Sequence, residues 1–446
     1  MPHQAKTKKV TRPRGIRNSE INKLGREDRP AHDWYRFVLS FPPHLVRDYL
    51  SRFGVGAKHQ VLDPFCGTGT TLVECKKSGV RSVGVEANPV AHFASQVKLD
   101  WSPDPDGLAR HAEEIARSTE AVLERDGLQD DVDLPLWQKE HESAPQLKTL
   151  PREAEALLLS DSISPLPLHK TLALLEQIKQ RFDSRYHDHE LLALAKALVY
   201  SISNLDFGPE VGVGPIKKDA AVVGPWHDGV RAMAGDLRQL HDRNATAASA
   251  HLADARQILN VLKAGSIDGV ITSPPYPNEK DYTRTTRLES VLLGFIHNKQ
   301  DLRALKGGLV RSNTRNVFKD DDDDRWVSSH PEVQRIAHEI EARRIELGKT
   351  SGFERMYARV TKLYFGGMAR HLADLRAVLR PGAHLAYVVG DQASYLRVMI
   401  RTGQLLADIA QSLGYQVCGI DLFRTRLATA TREQLREEVV VLRWPG

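Results

Sequence analysis

Short apolar runs bounded by turn residues recur along the chain and predict the strands of a sheet. Two runs lie near the beginning, His59 to Phe65 and Arg81 to Asn88, and each has the length of a buried strand. Further runs of the same character are Ile267 to Thr272, Ala383 to Gly390, Tyr415 to Phe423 and Glu437 to Trp444.

Segments with the apolar spacing of helices separate these runs. A helix is predicted over Leu45 to Phe53 and is ended by Gly54, and others are predicted over Leu363 to Leu379 and Arg401 to Leu413. Because strands and helices alternate, the pattern predicts an α/β domain with a mostly parallel sheet.

Two long stretches interrupt this alternation. Residues 101–252 contain helical segments such as Leu168 to Phe182 and Glu190 to Ile202, and we interpret them as a helical insertion. Residues 277–366 form a second insertion, whose acidic run Asp320 to Asp324 we expect to be a mobile loop because neighbouring like charges repel. The predicted organisation is a basic arm (1–30), an α/β domain in two pieces (31–100 and 253–446) and these two insertions.

Composition narrows the class of protein. The 446 residues are 41% hydrophobic and 27% charged, which is typical of a soluble globular protein. No run of about 18 apolar residues exists, which excludes a membrane-spanning role. The cysteines, Cys66, Cys75 and Cys418, provide neither a disulfide framework nor a zinc cluster, so we expect a cytoplasmic protein without a metal.

The positive charge is concentrated in the arm. Residues 1–29 contain nine Lys or Arg and three acids, whereas the whole chain carries a net charge of +5. The arm lacks the apolar segment of a secretory signal. A flexible basic arm binds nucleic acid by releasing counterions, although a merely solvated tail is an equal alternative.

A glycine-rich turn follows the first predicted strand. The segment from Val61 to Leu72 reads Val-Leu-Asp-Pro-Phe-Cys-Gly-Thr-Gly-Thr-Thr-Leu. Two glycines let the backbone approach a ligand closely, and the N–H groups at the start of the following helix favour an anionic group. Glu86 comes 19 residues after Gly67, at the end of the next strand, where its carboxylate is suited to the ribose hydroxyls of a nucleoside cofactor. An ordinary strand-to-helix turn with an incidental acid is the competing interpretation.

A second motif, Ser273-Pro274-Pro275-Tyr276, directly follows the buried strand Ile267 to Thr272. Consecutive prolines fix the backbone, so the carbonyls here are held rigidly at the sheet edge where ligands of α/β folds bind. A rigid acceptor cluster beside an aromatic ring suits a planar base. A plain Pro-Pro turn is the alternative for the tetrapeptide in isolation.

These motifs resemble those of the S-adenosylmethionine-dependent amino-methyltransferases of DNA. In that family an Asp-Pro-Phe-x-Gly-x-Gly segment holds the methionine part of the cofactor, and a Ser/Asn/Asp-Pro-Pro-Tyr/Phe/Trp segment holds the target amine. The Ser-Pro-Pro-Tyr variant looks like the cytosine-N4 branch. The resemblance covers 31–100 and 253–446, with the cofactor motif first, and implies a Rossmann-like class I methyltransferase fold with a mostly parallel seven-stranded sheet.

The resemblance also implies roles for individual residues. It assigns the ribose to Glu86, the adenine amino group to Asp254, and cofactor contacts to the aromatic segment from His32 to Phe37. The implied catalytic residues are Ser273, Pro274, Pro275 and Tyr276. The implied cofactor-binding residues are Asp63, Pro64, Phe65, Gly67, Gly69, Thr70, Thr71, Glu86, Asp254, Trp34 and Tyr35.

Double-stranded DNA is the implied partner, and a restriction endonuclease counterpart is left open. Either insertion could read the DNA. The basic residues that we expect to contact it are Lys217, Lys218, Arg284, Arg287, Arg311 and Arg315. Surface solvation is the alternative for each of them.

Several alternative activities are compatible with this fold. The amine could belong to adenine N6 or to RNA, and a catalytically silent DNA-binding module is a third interpretation that the intact motif disfavours. A carbon-5 cytosine methyltransferase would need a Pro-Cys nucleophile, which the chain lacks, and we interpret Cys66 as a small packed residue. A protein-glutamine methyltransferase carries Asn-Pro-Pro-Tyr, and Ser273 with the basic arm favours a nucleic acid instead.

Overall fold

The structure is a computed structural model and describes residues 24–36, 40–130, 146–207, 210–278, 280–427 and 434–446. Most of the basic arm (1–30) and Phe37 of the aromatic segment therefore lie outside the described residues. Within the described residues, no helix is long and apolar enough to cross a bilayer.

A seven-stranded sheet forms the centre of the molecule. Its strands follow the spatial order β5-β2-β1-β6-β7-β9-β8, and a separate two-stranded hairpin is made by β3 and β4. All neighbouring pairs from β5 to β7 are parallel, whereas β9 runs antiparallel to both β7 and β8. The strands are β1 (Gln60–Asp63), β2 (Arg81–Glu86), β3 (Leu205–Phe207), β4 (Val211–Val213), β5 (Ala248–Leu252), β6 (Ile267–Thr272), β7 (Leu379–Gly390), β8 (Gln416–Leu427) and β9 (Gln434–Arg443).

Helices cover both faces of this sheet, so the mostly parallel α/β architecture predicted from the sequence is confirmed. They are α1 (Arg29–His32), α2 (Pro43–Arg52), α3 (Thr70–Lys77), α4 (Pro89–Leu99), α5 (Pro105–Arg125), α6 (Arg152–Glu155), α7 (Pro165–Gln180), α8 (His187–Ala197), α9 (Val223–Leu240), α10 (Tyr282–Thr285), α11 (Arg287–Leu292), α12 (Lys299–Gly307), α13 (Pro331–Glu346), α14 (Tyr357–Leu375) and α15 (Thr402–Ser412).

The first insertion is helical, but it ends earlier than the sequence indicated. Helices α5, α7, α8 and α9 pack together around buried residues such as Trp226. Ala248–Leu252, which we assigned to the insertion, is strand β5 at the edge of the central sheet. Only Ala250 of this strand is buried, so the segment has no apolar run by which a sequence pattern would reveal it.

The acidic run of the second insertion is folded, which contradicts the expectation of a mobile loop. A short 3₁₀ helix spans Asp323–Val327, and the side chain of Asp323 is buried. Asp323 accepts hydrogen bonds from Arg256 and Arg370, and Asp321 accepts two from Arg311. The repulsion that we expected is cancelled because these guanidinium groups come from other parts of the chain.

Candidate active site

A cavity of about 580 Å³ opens at the carboxyl ends of the central parallel strands. Its wall includes Gly67 after β1, Glu86 at the end of β2, Asp254 after β5, and Ser273 and Tyr276 after β6. The fold therefore brings the glycine-rich turn and the Ser-Pro-Pro-Tyr segment to one cavity, as expected for ligands of parallel α/β sheets.

Asp63, the last residue of β1, stabilises the start of the glycine-rich turn. It is completely buried, and its Oδ1 accepts hydrogen bonds from the Thr272 hydroxyl at 2.6 Å and from the Phe65 N–H at 3.1 Å. Burial raises the pKa of this carboxyl to about 6, against the lowering effect of its hydrogen bonds. Asp63 thus joins the ends of β1 and β6.

The turn itself depends on its glycines. Gly67 and Gly69 have φ of 52° and 84°, a region that favours glycine. A side chain at Gly69 would also place its Cβ 3.1 Å from Cβ of Ser95. The turn leads into α3, whose first residue, Thr70, lines the cavity. The first N–H groups of a helix have no partner within the helix.

Glu86 closes the turn from the neighbouring strand. Its two carboxylate oxygens accept backbone hydrogen bonds, from Gly67 N–H and from Asn88 N–H, each at 2.8 Å. Burial raises the pKa of Glu86 to about 7, although these hydrogen bonds favour its ionised form. A carboxylate held in this way retains lone pairs for ribose hydroxyls.

The Ser273-Pro274-Pro275-Tyr276 segment is fixed against β7. The Ser273 hydroxyl donates to the Val388 carbonyl at 3.1 Å, which leaves the Ser273 oxygen able to accept from a ligand. The Tyr276 ring lies against Gly390, where a Cβ would come 3.1 Å from its Cε2. Burial is the main reason that the pKa of Tyr276 is raised, so its hydroxyl stays protonated.

Some predicted cofactor residues do not line the cavity. Trp34 donates its indole N–H to Asp236 at 2.8 Å, and the Tyr35 hydroxyl donates to Glu289 at 2.6 Å. Both aromatic rings are 2% exposed and pack in the interior. Asp63, Gly69 and Thr71 likewise lie behind the wall, whereas Pro64, Phe65, Gly67, Thr70, Glu86 and Asp254 line it.

The residues predicted to bind DNA differ in how far they are exposed. Arg311 is buried and paired with Asp321, so it holds the second insertion together and is not available to a phosphate, which corrects our expectation. Arg284 and Arg287 are half-buried, and Lys217 donates to the Ser201 and Ser203 carbonyls. Lys218 and Arg315 are exposed.

Several wall residues were not anticipated from the sequence. Asn316 is buried at the wall, and neither its amide nitrogen nor its amide oxygen has a hydrogen-bond partner among the described residues. Lys280 and Glu437 also line the cavity, and Glu437 pairs with Arg424 at 2.6 Å. Asn316 lies in a three-residue 3₁₀ helix and Lys280 in an irregular segment, both without a periodic signal, and a single acid in strand β9 such as Glu437 has no feature that marks it as part of a site.

Strand order, glycine-rich turn and acidic residues together define an S-adenosylmethionine-dependent methyltransferase. The central sheet places its turn after β1, a carboxylate after β2 and a second carboxylate after β5, which fits a nucleoside cofactor. The buried Thr68 hydroxyl, which has no partner among the described residues, adds a free polar group beside the turn.

Comparisons with known proteins identify the kind of methyltransferase. The model of the N6/N4 family described as DNA methylase matches residues 4–96. Type II methyltransferase M.BsoBI of Geobacillus stearothermophilus is 24% identical, covering 94% of this chain and 85% of its own. Type II methyltransferase M.AvaI of Anabaena variabilis is 24% identical, covering 94% of this chain and 87% of its own. These matches support an amino-methyltransferase of the N6/N4 type, and the cofactor is S-adenosylmethionine.

A shorter match is to an RNA-modifying enzyme. The tRNA (guanine(10)-N2)-dimethyltransferase of Methanothermobacter thermautotrophicus is 41% identical over 58 residues, which is 13% of this chain and 17% of its own. The match is short, so it concerns only part of the fold.

Proposed function

We propose that this protein methylates the exocyclic N4 amine of cytosine at specific sites in double-stranded DNA. The observation that carries this proposal is the single cavity shared by Ser273-Pro274-Pro275-Tyr276 and the cofactor residues Gly67, Glu86 and Asp254. The full-length likeness to Type II methyltransferases supports DNA as the substrate. A partner restriction endonuclease stays an expectation.

The target amine is a poor nucleophile because its lone pair is delocalised into the ring. The Ser273 oxygen and the Pro274 carbonyl are suited to accept the two amine hydrogens, which favours a pyramidal nitrogen. Since the Ser273 proton is already donated to Val388, the hydroxyl oxygen presents a lone pair to the amine. S-adenosylmethionine, when bound, supplies an electrophilic methyl group.

Tyr276 positions the base for this reaction. Its ring is held by β7, and stacking on the ring keeps a planar base in one orientation. Holding amine and methyl donor in line lowers the barrier without further covalent chemistry. The nitrogen gains the methyl carbon, and the proton that it then loses goes to solvent. In a duplex the cytosine must first leave the helix stack, at a cost of a few kcal/mol.

Asn316 is suited to read the ring edge beside the amine. The segment that contains Asn316 begins near the cofactor residues, because the Cβ position of Gly308 lies 3.7 Å from Ala87. Further along, the Asn313 side chain donates a hydrogen bond to the Lys280 carbonyl. The segment therefore runs from the cofactor side of the wall towards the residues that follow Tyr276. Both hydrogens of the amine are assigned to Ser273 and Pro274, so the free amide nitrogen of Asn316 is suited to donate to the ring nitrogen beside the amine.

Methylation of adenine N6 in DNA, or of an RNA amine, is the second candidate. Adenine also presents a ring nitrogen beside its amino group, so Asn316 is compatible with either base. The serine at position 273 favours cytosine because, by resemblance, that variant is typical of the N4 branch. The short match to the tRNA enzyme keeps RNA as a substrate to be tested.

The test is to incubate the protein with labelled S-adenosylmethionine and mixed-sequence duplex DNA, followed by mass spectrometry of the nucleosides. We expect N4-methylcytosine. N6-methyladenine would overturn the base assignment, and a product found only with RNA would overturn DNA as the substrate.

A paired variant tests the site itself. Tyr276→Ala should abolish methylation while S-adenosylhomocysteine binding is retained, because the ring acts on the base. Tyr276→Phe keeps the ring and should retain most of the activity. Unchanged turnover in Tyr276→Ala would remove this residue from the mechanism.

A further inference from the structure

A buried arginine joins two acids that belong to different parts of the chain. Arg256 is 7% exposed and donates from Nη2 to Oδ2 of Asp254 at 2.7 Å and from Nε to Oδ1 of Asp254 at 3.0 Å. Its remaining nitrogen, Nη1, donates to Oδ2 of Asp323 at 2.6 Å. Because a guanidinium is planar and rigid, one arginine fixes both carboxylates in a single plane of donors.

Asp323 is itself held by the body of the α/β domain. Its Oδ1 accepts a hydrogen bond from Arg370 on α14 at 3.0 Å. The backbone of the acidic run packs directly on that helix, since a Cβ at Gly366 would lie 2.0 Å from the Asp323 carbonyl oxygen. A Cβ at Gly367 would lie 3.4 Å from Oδ2 of Asp323. The run is therefore docked at a position that only glycine permits.

Asp254 is the member of this group that reaches the cavity. Its Oδ1 also accepts from the Arg256 backbone N–H at 2.9 Å. Its Oδ2 accepts from Arg256 Nη2 at 2.7 Å and, with Oδ1, shares the Nε hydrogen, at 3.1 Å. Three donor hydrogens therefore occupy a carboxylate that has about four acceptor sites, which leaves one site for a ligand's amino group.

Burial by itself disfavours the charged form of the Arg256 guanidinium, but its two carboxylate partners keep it ionised. Burial lowers the pKa of the Arg256 guanidinium, and the hydrogen bonds and charges of Asp254 and Asp323 outweigh this effect and raise it. Asp254 and Asp323 thus share the charge of Arg256, and Asp323 also pairs with Arg370, so we expect removal of either carboxylate to shift Arg256 towards the other.

We propose that Asp323 acts through Arg256 as a positioning residue for Asp254, so that docking of the acidic run determines how strongly the site selects a 6-amino purine in the cofactor. This proposal rests on the proposed contact between Asp254 and the adenine amino group. It makes the second insertion part of the cofactor site, although the run itself does not line the cavity.

The test compares two substitutions in the same acidic run. Asp323→Asn removes the buried charge that Arg256 contacts, whereas Asp322→Asn removes an exposed charge whose ion-pair partner in the described part of the chain is Arg325, at 2.9 Å. Both variants change the net charge equally, so long-range electrostatics are matched. Binding of S-adenosylhomocysteine and of S-inosylhomocysteine, which has a carbonyl in place of the amino group, is measured by calorimetry on the full chain.

We expect Asp323→Asn to reduce the preference for the adenosyl over the inosyl ligand by about tenfold, the equivalent of one charged hydrogen bond. Asp322→Asn should keep the wild-type ratio. Arg256→Lys, which keeps the charge but not the planar fork, should lose the preference as well and provides a second variant if Asp323→Asn folds poorly.

An unchanged ratio in both Asp323→Asn and Arg256→Lys, or an equal weakening of both ligands, would assign these residues a purely structural role and overturn the proposal. Asp254→Ala serves as the reference, because an unchanged ratio in that variant would refute the premise that Asp254 reads the amino group. The assay contains no DNA, so its result is independent of the proposed substrate.

Discussion

Gly390 and Tyr276 lie in direct contact across the parallel pair β6 and β7, and the space between them is too small for a side chain. A Cβ at Gly390 would sit 3.1 Å from the ring and 3.5 Å from Cγ of Glu437. The glycine therefore determines where the ring stands over the target base, although it contacts neither base nor cofactor in our proposal.

Gly390→Ala should displace the Tyr276 ring and lower the turnover number about tenfold or more, with S-adenosylhomocysteine affinity unchanged. Overpacking of this kind costs about 1–3 kcal/mol of unfolding free energy. Gly419→Ala is the matched control, since the Cβ position of Gly419 has no neighbour within 4 Å. Steady-state kinetics that do not differ between the two variants would contradict the positioning role of Gly390.

Asn316→Leu should lower the methylation activity without lowering the stability of the fold. The substitution removes a buried amide that lacks partners among the described residues, so the unfolding free energy should stay constant or rise by about 1 kcal/mol. If the amide reads the target base, kcat/KM should fall about tenfold or more. Chemical denaturation and a methylation assay on the same preparations measure both quantities.

Asn313→Ala is the comparison for that experiment. Asn313 donates to the Lys280 carbonyl at 3.0 Å and accepts from the Arg315 N–H at 2.9 Å, so its loss should reduce stability. A parallel loss of stability and activity in Asn316→Leu would show that Asn316 has the same structural role as Asn313.

Glu86 should give cofactor binding a pH dependence. Burial raises its pKa from 4.5 to about 7, so its contribution to the stability of the unliganded fold is complete below about pH 4.5 and is lost as pH rises through about 7. Ribose hydroxyls donate to the ionised carboxylate, so cofactor affinity should increase over the interval from about pH 6 to 8.

Calorimetric titration of S-adenosylhomocysteine at several pH values tests this expectation against Glu86→Gln. The variant should lose the pH dependence that Glu86 contributes, while that of nearby groups such as Asp63 is retained in both proteins. Parallel curves for the wild type and Glu86→Gln would assign the pH dependence to other groups.

Deletion of residues 1–23 should weaken DNA binding and flatten its salt dependence. This segment contains seven Lys or Arg and one acid, and removing one phosphate contact reduces the slope of log affinity against log salt by about 0.9. The deletion leaves Asp28 in place, whose carboxylate binds Arg47 at 2.8 Å. An unchanged slope would mean that the arm does not contact DNA.

Arg311→Met is the comparison for the arm deletion, because it should change stability and leave the salt dependence of DNA binding unchanged. Breaking its buried pair with Asp321 should destabilise the fold by about 3–5 kcal/mol, because the remaining carboxylate is then without its charged partner. The salt slope of DNA binding should not change. Binding isotherms at several salt concentrations distinguish this structural arginine from the basic residues of the arm.

The sequence reveals those parts of the molecule that have a local pattern. Strands β1, β2 and β6 are nearly continuous apolar runs because both of their faces are buried, and the motifs after β1 and β6 follow them directly. These features are sufficient to place Gly67, Glu86, Ser273 and Tyr276 at one edge of the sheet from the sequence alone.

The remaining features depend on distant partners. In the sequence Asp323 resembles a solvated charge, but the fold pairs it with Arg256 and Arg370. In the same way Arg311 resembles a phosphate ligand, but the fold pairs it with Asp321. Strand β5 is half exposed, so its pattern gives no signal. Each of these was missed because charge and burial are decided by tertiary contacts, which no local pattern contains.

The position of β9 between β7 and β8 has a consequence for the order in which the strands can join the sheet. Strand β8 precedes β9 in the chain but pairs with β9 and not with β7, so it stays outside the sheet until β9 has been synthesised. The register places Glu437 opposite Gly390, beside Tyr276. The last two strands to be synthesised therefore complete the wall of the cavity beside Tyr276, to which they contribute Arg424 and Glu437.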